Sequence, residues 1–76
     1  MKELDLHGYY HHEVWQEVEN FVLLNSNELP LRIITGYSDF MKELVKNVLE
    51  KYKFDYYSPA HNGGEIIVTI DKEKFI

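Results

Sequence analysis

The sequence of 76 residues contains no cysteine. That absence excludes disulfides, thiolate zinc sites and cysteine nucleophiles, and it leaves the cellular compartment open. No apolar run approaches the roughly 20 residues that a membrane-spanning helix needs. The N-terminal residues carry charge where a signal peptide would begin its apolar run. We therefore expect a stand-alone cytoplasmic protein with no membrane association.

Basic residues are also few. Eight Lys and Arg stand against thirteen Asp and Glu, which gives a formal net charge of -5 and a pI near 5.2. A broad electrostatic grip on nucleic acid needs clustered Lys and Arg, so this balance counts against one. Lys2 is the only basic residue before Arg32. A local basic patch in the second half of the chain stays compatible with the composition.

Apolar periodicity divides the chain into strands and helices. In chain order the sequence predicts a strand over 3–7, a helix over 12–25, a strand over 31–35, a helix over 39–52, and strands over 54–57 and 65–70. The strand over 31–35 is almost continuously apolar, which is typical of an interior parallel strand. Together these segments form one domain over residues 3–70. The charged tail, residues 71–76, is expected to fray.

The order β-α-β-α-β-β defines an α/β fold. Alternating strands and helices favour parallel pairing of the first two strands through right-handed crossovers. The last two strands are joined by a loop too short for a helix, so they are expected to form an antiparallel hairpin. The prediction is a two-layer sandwich: a four-stranded mixed sheet with both helices on one face and the other face largely open.

Residues 4–8 read LDLHG. Because side chains alternate along a strand, Asp5 and His7 are predicted to share the open face, with their Cα atoms about 7 Å apart. That spacing is a little long for direct contact. An Asp near a His can fix the tautomer of the imidazole, which then acts as a general acid or base near neutral pH. The alternative, a solvated polar strand face, is the commoner origin of this pattern.

Two glycine-containing turns follow the first two predicted strands. Gly8 ends the first, and Thr35-Gly36-Tyr37-Ser38 ends the second. Ligands collect at the carboxyl ends of parallel strands. Backbone N–H groups ahead of the second helix, whose N-cap is predicted at Ser38 or Asp39, suit an anion.

Other polar and aromatic residues have structural explanations. His11 and His12 are adjacent at a helix start and cannot both face one metal ion from it; His61 is a loop residue, and no His and acidic pair has metal-ligand spacing. Gly63-Gly64 also suits a hairpin turn. Aromatic rings can stack on bases, and the best candidates for exposure are Tyr9, Tyr10 and Tyr37. The other aromatic side chains are expected in the core or at its rim.

Three ordered motifs resemble the Smr (small MutS-related) domain over most of the chain. They are LDLHG at 4–8, LRIITG at 31–36 and AHNGGEIIVTI at 60–70. The resemblance implies a two-layer α/β sandwich of the kind seen in the C-terminal domain of bacterial translation initiation factor three. It also implies nucleic-acid binding and, in many members, endonuclease activity on DNA or on RNA, including messenger RNA on stalled ribosomes.

The resemblance implies a role for each matching residue. Asp5 and His7 match the catalytic pair of the first motif. The implied nucleic-acid or phosphate site comprises Gly8, Arg32, Thr35, Gly36, Tyr37, Ser38, Lys42, Gly63 and Gly64. The T-G-x-G motif of the family ends here in Ser38 instead of glycine, which carries a cost if that position needs a positive φ.

Two functions follow as hypotheses. In the first, an endonuclease hydrolyses phosphodiester bonds with His7 as acid or base and Asp5 orienting or charging it. RNA supplies its own 2′-hydroxyl and needs no cofactor, whereas DNA needs an attacking water, for which a divalent metal is more plausible. In the second, a non-catalytic module binds nucleic acid, a ribosome or a protein partner, which suits the negative net charge.

Overall fold

The computed structural model describes residues 1–75, which form four strands, two α-helices and a short 3-10 helix. The elements are β1 (Lys2–Asp5), α1 (His11–Leu24), β2 (Leu31–Ile34), α2 (Asp39–Lys51), β3 (Phe54–Tyr57), β4 (Glu65–Asp71) and the 3-10 helix (Lys72–Phe75). The predicted order is confirmed, and each predicted boundary lies within two residues of the observed one.

The strands form one mixed sheet in the order β1-β2-β4-β3. β2 is an interior strand, parallel to β1 and antiparallel to β4. β3 and β4 pair as an antiparallel hairpin with a bulge between Asp55 and Tyr56. The predicted parallel pairing of the first two strands and the terminal hairpin are therefore both confirmed.

The core lies between the sheet and the two helices. α1 buries one stripe, Val14, Val18 and Val22, whose spacing of four residues keeps them on one side of the helix. α2 begins where the Ser38 hydroxyl accepts a hydrogen bond from the Met41 N–H at 3.1 Å. The side chains that meet these helices from the sheet are Leu6, Leu31, Ile33, Phe54, Ile66 and Val68. Both helices thus cover one face of the sheet, as predicted.

The other face of the sheet carries most of its charge. In the register of β1, β2 and β4, Glu3 lies beside Arg32, and Arg32 beside Ile67. Asp5, Ile34 and Glu65 form the next row. Glu3 and Asp5 are exposed, whereas Glu65 and Ile67 are buried. This face is therefore exposed along β1, and Tyr57 of β3, which pairs with Ile67, is exposed on it as well.

The tail is more ordered than the sequence predicts. Asp71 ends β4, and Lys72–Phe75 form the 3-10 helix where fraying is predicted. The Lys72 N–H donates to the Lys53 carbonyl at 3.0 Å, which ties the tail to the turn before β3. Ile76 lies outside the described residues.

Candidate active site at the carboxyl ends of β1 and β2

β1 ends earlier than its alternating pattern predicts. The Leu6 N–H still donates to the Ile34 carbonyl at 2.9 Å, and Leu6 is buried. The chain then turns: the Tyr9 N–H donates to the Leu6 carbonyl at 3.2 Å, and Gly8 has φ +88°. Glycine suits this turn because L side chains rarely adopt that conformation. His7 therefore lies in a turn and not in a strand.

This turn brings His7 onto Asp5. Asp5 Oδ1 accepts the backbone N–H of His7 at 2.9 Å and lies 2.7 Å from His7 Nδ1. The prediction that the two side chains are too far apart for direct contact is wrong. It assumed an extended strand through residue 7, whereas the chain bends after Leu6 and carries the ring back over the carboxylate.

The contact fixes the roles of the two ring nitrogens. A neutral imidazole that donates Nδ1–H to Asp5 carries its lone pair on Nε2, where it can accept a proton. The hydrogen bond from the His7 backbone N–H is the largest effect and holds the pKa of Asp5 below its ordinary value of 3.8. Desolvation raises that pKa in part, and the hydrogen bond and charge of the His7 side chain lower it further. Asp5 is therefore ionised at neutral pH. The side chains are 54% and 66% exposed for Asp5 and His7, so a substrate can reach them.

The free nitrogen of His7 faces the turn after β2. A β-carbon on Gly36 would lie 3.1 Å from His7 Nε2, and Gly36 has φ +66°. Glycine is thus required twice, by the backbone conformation and by the close approach of the imidazole. Among residues 1–75 no group hydrogen-bonds Nε2. The two glycine turns at this end of the sheet lie side by side with the imidazole between them.

Hydrogen bonds to Gly64, the residue before β4, stabilise the turn after β2. The Gly64 carbonyl accepts the N–H groups of Thr35 and Gly36 at 2.8 and 3.0 Å, and the Thr35 hydroxyl at 3.2 Å. Thr35 is buried, and its hydroxyl also lies 2.8 Å from the Gly36 carbonyl. Thr35 and Gly64 therefore shape the turn, and their polar groups are used within the protein.

Asn62 supports the same turn and was not among the predicted site residues. Its Oδ1 accepts the Gly64 N–H at 2.9 Å, and a β-carbon on Gly64 would lie 3.5 Å from the Gly36 α-carbon. Asn followed by glycines is a known signal for such a side-chain turn. The sequence N-G-G carried that signal, although the pairing with Gly36 comes from the sheet order.

Ser38 fits its position without strain. It has φ -75°, so the serine in place of the family's last glycine carries no conformational cost. Its hydroxyl caps Met41, which removes one N–H of the first helical turn from any bound anion. The N–H groups of Thr35 and Gly36 are likewise used by Gly64. An anion here would rely on the amides that follow Gly36 and on a nearby cation.

Lys42 is a basic residue beside this turn. Its Nζ lies 5.6 Å from the centre of the Tyr37 ring, and a β-carbon on Gly63 would lie 3.9 Å from Nζ and 3.6 Å from the ring. A side chain at position 63 would thus make only ordinary contacts with Lys42 and Tyr37, which pack beside the turn. Tyr37 itself is largely exposed.

Arg32, unlike Lys42, lies on the open face of the sheet. Its Nε is 3.1 Å from Glu65 Oε2, and its NH1 is 3.6 Å from Glu3 Oε1. The Nε–H does not point along a hydrogen bond, so the contact with Glu65 is ionic. Two carboxylates therefore compete with any phosphate for Arg32. With Asp5 beside them, the sheet face next to the dyad is acidic.

The remaining candidates divide by exposure. Tyr10 and Tyr37 are exposed as predicted, but Tyr9 packs against the core, so that prediction is wrong. The turn after His7 directs Tyr9 inward. His11, which the sequence left as a plain exposed residue, contacts the Phe40 ring across the two helix starts. His61 is exposed in the loop between β3 and β4.

Within residues 1–75, no group of three or more His, Asp or Glu side chains is arranged to hold a metal ion. The described residues enclose no pocket, so the site lies on an open surface. None of the helices they form has the length and apolar character needed to cross a bilayer. No protein-family model, curated protein or solved structure matches the chain.

Proposed function

We propose that the protein is an Smr-like nucleic-acid-binding domain that cleaves phosphodiester bonds, with RNA as the substrate that its residues suit best. The observation that carries the proposal is the direct contact between Asp5 and His7, with Nε2 left free on an accessible surface. Such a nitrogen is the proton acceptor that general base catalysis needs. An RNA-cleaving domain of this kind would act in the cytoplasm.

Cleavage of RNA needs a single general base in this proposal. His7 Nε2 accepts the proton of a ribose 2′-hydroxyl, and that oxygen attacks the adjacent phosphorus. The bond between phosphorus and the 5′-oxygen breaks, and the leaving oxygen takes a proton from water or from protonated His7. The products are a cyclic phosphate and a 5′-hydroxyl end. Asp5 holds the tautomer and favours the imidazolium that forms.

In this proposal the amides after Gly36 bind the phosphate together with Lys42, which packs beside Tyr37 and Gly63. Lys42 offsets charge that develops on the phosphate oxygens. With DNA the same base would act on a water, and a divalent metal would assist.

A second function is favoured by one observation, the acidic sheet face. Glu3, Asp5 and Glu65 outnumber Arg32 there. Under this hypothesis the domain is a non-catalytic module for nucleic acid, a ribosome or a protein partner, and the dyad is a structural clamp of the turn after β1.

A cleavage assay separates the two. Labelled single-stranded RNA and supercoiled plasmid are incubated with wild type, His7→Ala and Asp5→Asn, each with Mg²⁺ and with chelator. We expect His7→Ala to lower RNA cleavage by about 10²- to 10⁴-fold, the range for loss of a general base. Asp5→Asn is expected to lower it too, because an amide can stabilise the opposite tautomer.

The matched control is His61→Ala, which removes another exposed imidazole and is expected to cleave like wild type. Equal cleavage by His7→Ala and wild type would overturn the assignment of His7. Binding of RNA without any cleavage by wild type would favour the non-catalytic module.

A further inference from the structure

Four exposed rings cluster where the N-terminal ends of α1 and α2 meet. We call them the helix-end aromatic patch: Tyr10, His11, His12 and Phe40. The His11 and Phe40 ring centres are 4.5 Å apart, and the Tyr10 ring stacks on His12 at 5.8 Å with an interplanar angle of 10°. Tyr10 is 71% exposed and Phe40 56% exposed. The two ring pairs are separate, and the pair of His11 and Phe40 joins the starts of the two helices.

The fold does not need the Tyr10 or Phe40 ring. α1 begins with backbone groups: the Glu13 carboxylate accepts the Tyr10 N–H at 2.9 Å, and the Tyr10 carbonyl accepts the Glu13 N–H at 2.9 Å. The Tyr10 side chain takes no part in this cap, and neither Tyr10 nor Phe40 belongs to the core. His12 covers part of the Tyr10 ring and His11 covers part of the Phe40 ring, and the remaining exposed area of both rings can contact a ligand.

The patch adjoins the dyad. Tyr10 is three positions after His7, so their Cα atoms lie within about 11 Å. Phe40 is four residues after Gly36, the glycine against His7 Nε2. A strand whose phosphate lies at the dyad therefore has its neighbouring bases within reach of the patch.

The charge distribution decides what kind of strand fits. Duplex binding depends on many phosphate contacts from Lys and Arg, but the protein has net charge -5 and ties Arg32 to two carboxylates. Stacking on aromatic rings needs no positive charge and requires bases that are not already paired and stacked.

We propose that the helix-end aromatic patch stacks unpaired bases and so makes single-stranded RNA the substrate. This inference rests on the proposed function. It predicts that binding comes mainly from stacking beside the dyad, with little contribution from phosphate contacts.

Binding is measured by fluorescence anisotropy at low salt in the His7→Ala background, which prevents cleavage. The probes are a short labelled single-stranded RNA, the same strand annealed to its complement, and the same strand with abasic residues. We expect the single strand to bind at least about tenfold more tightly than the duplex or the abasic strand. Tyr10→Ala and Phe40→Ala should each weaken its binding by about five- to 100-fold, and Tyr10→Phe should retain it.

The matched control is Tyr57→Ala. Tyr57 is 53% exposed, which nearly equals the exposure of Phe40, but it lies on β3 at the far edge of the sheet. It is expected to leave the affinity unchanged. Thermal unfolding of each variant shows that the substituted protein is folded.

Equal affinity for duplex and single strand, or unchanged affinity in both alanine variants, would overturn the inference. Cleavage by Tyr10→Ala and Phe40→Ala with His7 intact is measured in parallel. If wild type cleaves RNA through His7 while the patch variants bind normally, the base-stacking inference alone fails. If His7→Ala cleaves like wild type, the catalytic proposal fails, and the affinity series is repeated with a 2′-O-methyl strand, which has no 2′-hydroxyl to attack and still decides the patch. Absence of RNA binding at low salt would overturn both and favour a protein partner.

Discussion

His7 Nε2 lies where a side chain on Gly36 would begin: a β-carbon at position 36 would be 3.1 Å from it. Asp5 holds the other ring nitrogen, with Oδ1 2.7 Å from Nδ1. Nδ1 is therefore paired with Asp5, and Nε2 occupies space that position 36 leaves only because it is glycine. The glycine turn and the dyad form one unit.

Gly36→Ala is expected to lower RNA cleavage by at least about tenfold, because the methyl group displaces the imidazole or shields the proton acceptor. The substitution should also lower the free energy of unfolding by about 1–2 kcal/mol, since φ at this position is positive. Initial cleavage rates and urea unfolding of the same preparation measure the two effects.

Gly8→Ala serves as the comparison for strain. Gly8 also has a positive φ, but a β-carbon there would meet no atom within 4 Å. We expect a similar loss of stability and a clearly smaller loss of cleavage than in Gly36→Ala. Equal losses of cleavage would mean that strain in the turns, and not contact with His7, explains both.

The pKa of Asp5 predicts how stability responds to acid. Its folded pKa is lowered by the hydrogen bond from the His7 N–H, so ionised Asp5 stabilises the fold above its unfolded pKa. That contribution is lost as pH falls from about 4 through the folded value. The difference in unfolding free energy between wild type and Asp5→Asn should shrink as pH falls below about 4. A difference that grows over that acid range would contradict the lowered pKa of Asp5.

The periodic features of the sequence predicted the fold well because periodicity is local. The valine stripe of α1 and the Ser38 cap of α2 are determined by residues within a few positions of one another. The site was harder to predict. The contact between Asp5 and His7 depends on the residue at which β1 ends. Gly8 indicates in the sequence that a turn follows β1, but it does not indicate the geometry of that turn.

Other parts of the site depend on sheet order, which local patterns do not reveal. Glu65 reaches Arg32 because β4 inserts beside β2, 33 positions along the chain. The same insertion places the Gly64 carbonyl under Thr35 and Gly36. The contact between His11 and Phe40 likewise joins two helices that are distant in sequence.

Lys53 has a left-handed backbone conformation without being a glycine. Its φ is +61°, just after the Tyr52 C-cap of α2, a position where glycine usually ends a helix. Lys53→Gly is expected to raise the free energy of unfolding by about 1 kcal/mol, and Lys53→Val to lower it. Chemical denaturation measures both. A destabilising Lys53→Gly would show that flexibility gained in the unfolded chain exceeds the strain relieved.

Arg32 and Glu65 give a test of whether Arg32 serves the fold or the substrate. Glu65 is only 8% exposed, so Arg32→Gln leaves its carboxylate buried and unpaired and should lower the free energy of unfolding by about 1–3 kcal/mol. The double variant Arg32→Gln/Glu65→Gln should recover much of that loss. Urea unfolding of wild type, Arg32→Gln, Glu65→Gln and the double variant measures the recovery as a coupling energy.

RNA affinity of the same proteins completes the test. Because Arg32 is held by Glu65 and Glu3, removing both members of the Arg32–Glu65 pair leaves the local net charge unchanged. The double variant should therefore bind single-stranded RNA within about twofold of wild type. If Arg32 instead leaves Glu65 to hold a phosphate, the double variant would be as weak a binder as Arg32→Gln while remaining stable. In that case the slope of log affinity against log salt concentration would also be smaller in the double variant than in wild type, by the amount that about one phosphate contact contributes.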